Sequence, residues 1–196
     1  MMRKVGLVLD SAFDLLEEVK EGLLMEVARM NIIIGGKSYI DGTEITLPEV
    51  VEAVIAGKKV TTSQPSPEAY KVAYENLIAQ GVTDIVVMTV SKVLSGSFQS
   101  AEIAKEFVEG VNIVLVNSKT SAMGGELLIE EVKEMFLNNA DINEIKERLD
   151  VLVGLSNVLL TVDDLSTLHK GGRMNKTQSI IGTLMKIKPV ITVNFE

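Results

Sequence analysis

The chain has 196 residues and a formal net charge of −8, so it lacks the basic face that non-specific nucleic-acid binding needs to displace phosphate counterions. It has no cysteine and one histidine, which excludes disulfides, thiolate metal sites, a cysteine nucleophile and a histidine-based metal centre. No apolar run approaches the roughly 18 residues of a membrane span, so no stable membrane insertion is expected. The N-terminus carries Arg3 and Lys4 but no apolar stretch or cleavage site of a signal peptide, and a cytoplasmic location is expected.

The elements follow in chain order. Residues 5–9 form a short apolar run and predict a buried strand ending in Asp10-Ser11. Ser11 with Asp14 has the spacing of a capping box for a helix over 15–21. Residues 32–34 and 37–40 flank Gly35-Gly36 and predict a β-hairpin. Thr46, Pro48 and Glu49 open a helix to about Ala56. Residues 60–67 read as a hydroxyl-rich loop, with Ser66 capping a helix that Gly81 ends. Residues 84–90 are a strand, 91–97 a second hydroxyl-rich loop, and 98–107 a helix. Residues 111–116 are a strand, 117–121 a third such loop, and 122–137 a helix. Asp141 and Glu144 cap the next helix, to about Leu152. Residues 157–162 are a strand, 163–170 a short helix capped by Asp163-Asp164, and Gly171-Gly172 a break. A helix over 178–185 and a strand over 190–195 complete the chain. Strands and helices in alternation, with the strands continuously apolar, predict an α/β fold: a parallel sheet covered by helices on both faces. The change of character at 154–157 divides it into an N-terminal domain, 1–155, and the start of a second α/β domain, 156–196.

Loops of this kind at the C-terminal edge of a parallel sheet are where ligands bind in open α/β folds. Helix N-termini there present free N–H groups and a positive dipole end, which suits a carboxylate or a phosphate. Serine and threonine add neutral donors, and Gly96 allows close backbone approach. By residue type alone the loops are anion-binding candidates or plain helix caps. A serine hydrolase using Ser95 is a rival, but Leu94-Ser95-Gly96 is no G-x-S-x-G elbow. A binding protein for a phosphorylated small molecule is another. His169, near the end of its short helix, suits a dipole role.

Thr61-Thr62-Ser63-Gln64-Pro65-Ser66 resembles the threonine-serine-glutamine-proline signature of the DegV family. Residues 91–100, SKVLSGSFQS, are similar to that family's leucine-serine-glycine-threonine segment, with Ser97 in the place of the threonine. Residues 168–174, LHKGGRM, resemble its lysine-glycine-glycine-arginine segment, and Asp10-Ser11, Tyr39-Ile40-Asp41-Gly42 and Ile187-Lys188-Pro189-Val190 match further positions. The order and spacing agree over nearly the whole chain.

The resemblance implies a DegV-like two-domain protein holding a long-chain fatty acid, with the acyl tail in an aliphatic tunnel and no cofactor. It implies that a separate fatty acid kinase phosphorylates the bound carboxylate, so the chain itself is not the enzyme. It places the carboxylate near Thr62 and Ser95, with Ser63, Gly96 and Ser97 beside them and Arg173 completing the polar end. Leu9 and Asn117 stand where the family has threonine and aspartate. Family members continue past the strand that ends this chain, with a histidine near the carboxylate, so the second domain is expected to be incomplete. Either a second subunit then covers its open face, giving a homo-oligomer, or the tail lies in a shallower groove.

Overall fold

The computed structural model describes residues 4–13, 17–162, 165–173 and 190–192. Its centre is a four-stranded, all-parallel sheet in the order β2-β1-β6-β7, made of β1 Val5–Asp10, β2 Met25–Ala28, β6 Asp84–Thr89 and β7 Asn112–Asn117. Alternate residues of each strand serve two separate cores. Leu7, Leu9, Val86, Met88 and Val116 pack against helices α5 (Met123–Leu137) and α6 (Ile142–Leu155). Val8, Ile85, Val87 and Ile113 pack against α3 (Pro67–Ala79) and α4 (Ser97–Lys105). This is the double burial that continuous apolar strands predict, and it confirms the α/β class.

A second sheet is antiparallel, in the order β4-β3-β5, with β3 Asn31–Ile34, β4 Lys37–Ile40 and β5 Val60–Ser63. Its β3–β4 turn is Gly35-Gly36, with φ of 59° and 90°, the left-handed pair that a tight hairpin turn requires. Here one expectation is corrected. The first hydroxyl-rich segment is not a loop: Val60 to Ser63 pair residue by residue with β3, and β-branched Val and Thr fit that pleated ladder. Strand β2 is a second difference, because the sequence reading gives it no element.

The caps follow the sequence. The Glu49 carboxylate accepts from the Thr46 N–H at 2.8 Å at the start of α2 (Leu47–Ile55), and Ser66 Oγ accepts from the Ala69 N–H at 3.2 Å. Asp141 accepts from the N–H groups of Asn143 and Glu144 at 2.8 and 3.1 Å. Ser11, expected to cap α1 (Glu17–Lys20), instead accepts the Met30 N–H at 3.0 Å and so binds the β1 end to the chain after β2. Beyond α6, β8 (Leu159–Thr161) pairs antiparallel with β9 (Val190–Thr192), and α7 (Leu165–Lys170) lies between them in sequence. The expectations for Asp14, Asp163-Asp164, the 178–185 helix and residues 193–195 fall outside the described residues. No helix among the described residues is long and apolar enough to cross a membrane.

Candidate functional site

From β1 the chain passes to β2 on one side, leaves the sheet for β3, β4, β5 and α3, and rejoins on the other side of β1 as β6. The strand order therefore reverses between β1 and β6, and their C-terminal ends form a topological switch point, the edge at which open α/β folds bind ligands. Asp10 lies at this edge, 1% exposed. Its Oδ2 accepts the Val90 N–H at 2.9 Å and its Oδ1 accepts the Ala12 N–H at 3.1 Å, so one carboxylate fastens the ends of both central strands. Burial pushes this carboxyl above the usual range, opposed by the Val90 N–H, the Ser97 hydroxyl, the Ala12 N–H and the Tyr70 hydroxyl. Tyr70 is itself fully buried on α3, its hydroxyl facing that carboxylate without completing a hydrogen bond.

The second loop is built over this carboxylate. The N–H groups of Leu94 and Ser95 donate to the Ser91 carbonyl at 2.9 and 3.1 Å, which turns the chain toward α4. Ser95 Oγ lies 3.0 Å from Ser97 Oγ and accepts the Ser97 N–H at 3.3 Å, so it caps the helix in place of side-chain-less Gly96. Ser97 is fully buried and Ser95 half-buried.

Three other segments converge on this loop. The Asn117 side-chain carbonyl at the end of β7 accepts the N–H groups of Lys92 and Lys119 at 3.1 and 3.3 Å. Gln64, just past β5, donates through Nε2 to Ser100 Oγ at 3.3 Å, and its amide fills the space over Gly96. Arg173 donates from Nε to the Leu94 carbonyl at 3.1 Å and from Nη1 to the Gly171 carbonyl. Its position follows from the glycine break: Gly172 takes φ 78°, and the Arg173 N–H closes the turn on the Leu168 carbonyl at 2.9 Å.

The structure thus brings Ser95, Gly96, Ser97 and Arg173 together. Thr62 and Ser63 lie at the exposed end of β5, where Thr62 pairs with Ile32, and it is their neighbour Gln64 that reaches the loop. The close approach at Gly96 is taken up by Gln64. His169 occupies the last turn of α7, the place a dipole role predicts. Asp10, Tyr70 and Gln64 are the members the sequence reading did not single out as site residues. Among the described residues no group of three or more acidic, His or Cys side chains could hold a metal ion. A cleft of about 570 Å³ lies at the opposite edge of the sheet, where β1 begins, lined by Lys4, Val5, Leu23, Leu24 and Phe136.

Residues 4–195 match the model of a family of uncharacterised proteins, the DegV family. A DegV domain-containing protein of Listeria monocytogenes is 35% identical over 99% of this chain and 69% of its own length. A DegV-family protein from Thermus thermophilus, described by its fatty-acid binding, superposes with a TM-score of 0.85 at 29% identity, over 97% of this chain and 68% of that one. A stearic-acid-binding protein from Eubacterium ventriosum gives 0.86 at 29% identity, over 98% and 67%.

Proposed function

This chain belongs to the DegV family, and from that premise we propose that it binds a long-chain fatty acid and holds its carboxylate at the switch-point edge for a separate, ATP-using fatty acid kinase. The Ser95 hydroxyl and the Arg173 guanidinium contact the carboxylate, Thr62 approaches from the end of β5, and Ser63, Gly96 and Ser97 shape the turn. The observation that carries this reading is the bond from Arg173 Nε to the Leu94 carbonyl, which sets a guanidinium at the peptide that leads into Ser95. A planar cation and a neutral hydroxyl at the positive end of a helix dipole match a carboxylate better than any neutral ligand. The fatty-acid-binding proteins that share this fold support an acyl tail behind the carboxylate. The chemistry belongs to the kinase, and the site supplies orientation. Residues 156–196 contribute to a second domain that covers the tail.

Calorimetric titration with oleate tests the assignment. Ser95→Ala, Thr62→Ala and Arg173→Ala each remove one donor to a charged group and cost about 1.5–3 kcal/mol of binding. Unchanged affinity in all three removes the carboxylate from this edge.

A further inference from the structure

Helix α2 presents its apolar face to solvent. On a helical projection Leu47, Val51, Val54 and Ile55 fall within an arc of about 100°, the width of a core-facing stripe. That stripe is uncovered: Leu47 is 68% exposed, Val51 46%, Val54 48% and Ile55 81%. The other side, with Glu49, Ala53 and Ala56, faces the antiparallel sheet across a shallow cleft that reaches Ile34 and Tyr39. Of the whole helix only Ala53 is buried. A helix of 9 residues is too short to stand on propensity and draws its stability from packing of its apolar face. In α2 the described residues leave that face open.

The two ends of α2 differ in charge. Glu44 and Glu49 stand at its N-terminal end, where they accept the N–H groups of Ile40 and Thr46 at 2.8 Å each. Lys58 and Lys59 follow Gly57 at the C-terminal end, and both are exposed. Neither lysine makes an ion pair among the described residues. This polarity selects the occupant. A second α2 laid antiparallel along the stripe sets each acidic end against a basic end and opposes the two helix dipoles, whereas a parallel copy sets like ends together. An anionic lipid surface fits less well, because Glu44, Glu49 and Glu52 outnumber the two lysines.

We propose that this face is a self-docking surface, through which two copies of the chain pair by their α2 helices, antiparallel, about a two-fold axis at Val51. Leu47 of each copy packs on the partner's Ile55, and Glu44 comes near the partner's Lys58. Such a contact is isologous and closes at two copies. The stripe exposes roughly 400 Å² on each copy, a patch of the size that marks interaction sites. Pairing therefore buries about 800 Å² in all, below the standard interface, so the dimer is weak and forms at high concentration. The inference is independent of the fatty-acid reading, because α2 contributes no residue to the switch-point edge.

The chain has no cysteine, so single introduced cysteines report the register directly. Under mild oxidation Val51→Cys should form a disulfide dimer, and Leu47→Cys mixed with Ile55→Cys should form a mixed one, while Leu47→Cys or Ile55→Cys alone should form little. Sedimentation from about 10 μM to about 1 mM should carry the wild type from monomer toward dimer. Val51→Asp, which sets two carboxylates face to face on the axis, should raise the dissociation constant at least tenfold, and Lys58→Glu with Lys59→Glu severalfold. All of these side chains are exposed, so the substitutions leave the fold in place. A wild type that stays monomeric throughout, or a Val51→Asp variant that dimerises as the wild type does, overturns the inference. Self-crosslinks of Leu47→Cys and of Ile55→Cys that exceed the mixed product reveal parallel pairing and overturn it as well. Adsorption of the monomeric wild type, but not of Val51→Asp, to phosphatidylglycerol vesicles gives the face to lipid instead.

Discussion

The side-chain amide of Gln64 lies where a β-carbon on residue 96 would have to be, its Oε1 2.3 Å and its Nε2 2.6 Å from that point. Gly96 is thus the seat of a contact between the end of β5 and the second loop. The obstacle is the tip of a flexible, exposed side chain, so Gly96→Ala should cost the fold less than about 1 kcal/mol. Ligand affinity should fall by more than stability, because the amide also gives up Ser100 Oγ. Parallel urea unfolding and oleate titration compare the two. A variant with normal affinity would show that Gln64 does not couple these segments.

Gly125 gives a contrasting case. A β-carbon there would meet the Phe13 ring at 2.2 Å, and that ring belongs to the core between the sheet and α5. A packed aromatic cannot swing aside, so Gly125→Ala should destabilise by about 1–3 kcal/mol. At Gly154, late in α6, an added β-carbon meets nothing within 4 Å. There the better helix propensity of alanine should stabilise by about 0.5 kcal/mol. Equal effects of the two substitutions in urea unfolding would contradict this packing.

These contacts mark the limit of what is legible in the chain alone. β1, β6 and β7 are legible because strands buried on both faces must be apolar throughout. The paired glycines reveal the hairpin for a similar reason, since few other residues tolerate its turn. β5 is hidden by its own composition: Thr61, Thr62 and Ser63 read as a loop until β3 is placed beside them. β2 is too short and too mixed to show a period. At the site, Ser95, Gly96 and Ser97 stand out as hydroxyls and a glycine before a helix, whereas Arg173 is reached only through the family resemblance of its glycine turn. Gln64 acts across 36 residues of sequence, and nothing local announces it. Asp10 is visible as a strand end, but its burial comes from α3 and α4 closing over it.

Asp10 also makes a prediction about stability. Burial raises its folded-state pKa above the ordinary 3.8, so the folded protein binds its proton more tightly than the unfolded chain does. The stability linked to that proton is fully present below the unfolded pKa and is lost as pH rises through the folded one. Over that window, from about pH 4 upward, the wild type should lose stability relative to Asp10→Asn, which carries no titrating group. Denaturant midpoints at several pH values check the slope. Parallel curves for the two proteins would mean that Asp10 is not shifted upward.

Ser95 is arranged as a cap, its oxygen taking the Ser97 N–H and lying beside Ser97 Oγ. No imidazole stands among those partners. Turnover of a p-nitrophenyl ester by the wild type should therefore equal that of Ser95→Ala. A rate that disappears in the variant would make Ser95 a nucleophile.

The central claim, that the switch-point edge holds the carboxylate of a long-chain fatty acid, is tested most directly by mass spectrometry of an organic extract of the purified protein. The account predicts a long-chain fatty acid in the wild-type extract, sharply depleted when Thr62→Ala and Ser95→Ala are combined. A folded wild-type protein whose extract holds no acyl species, with a phosphorylated polar compound in the aqueous phase instead, would contradict it.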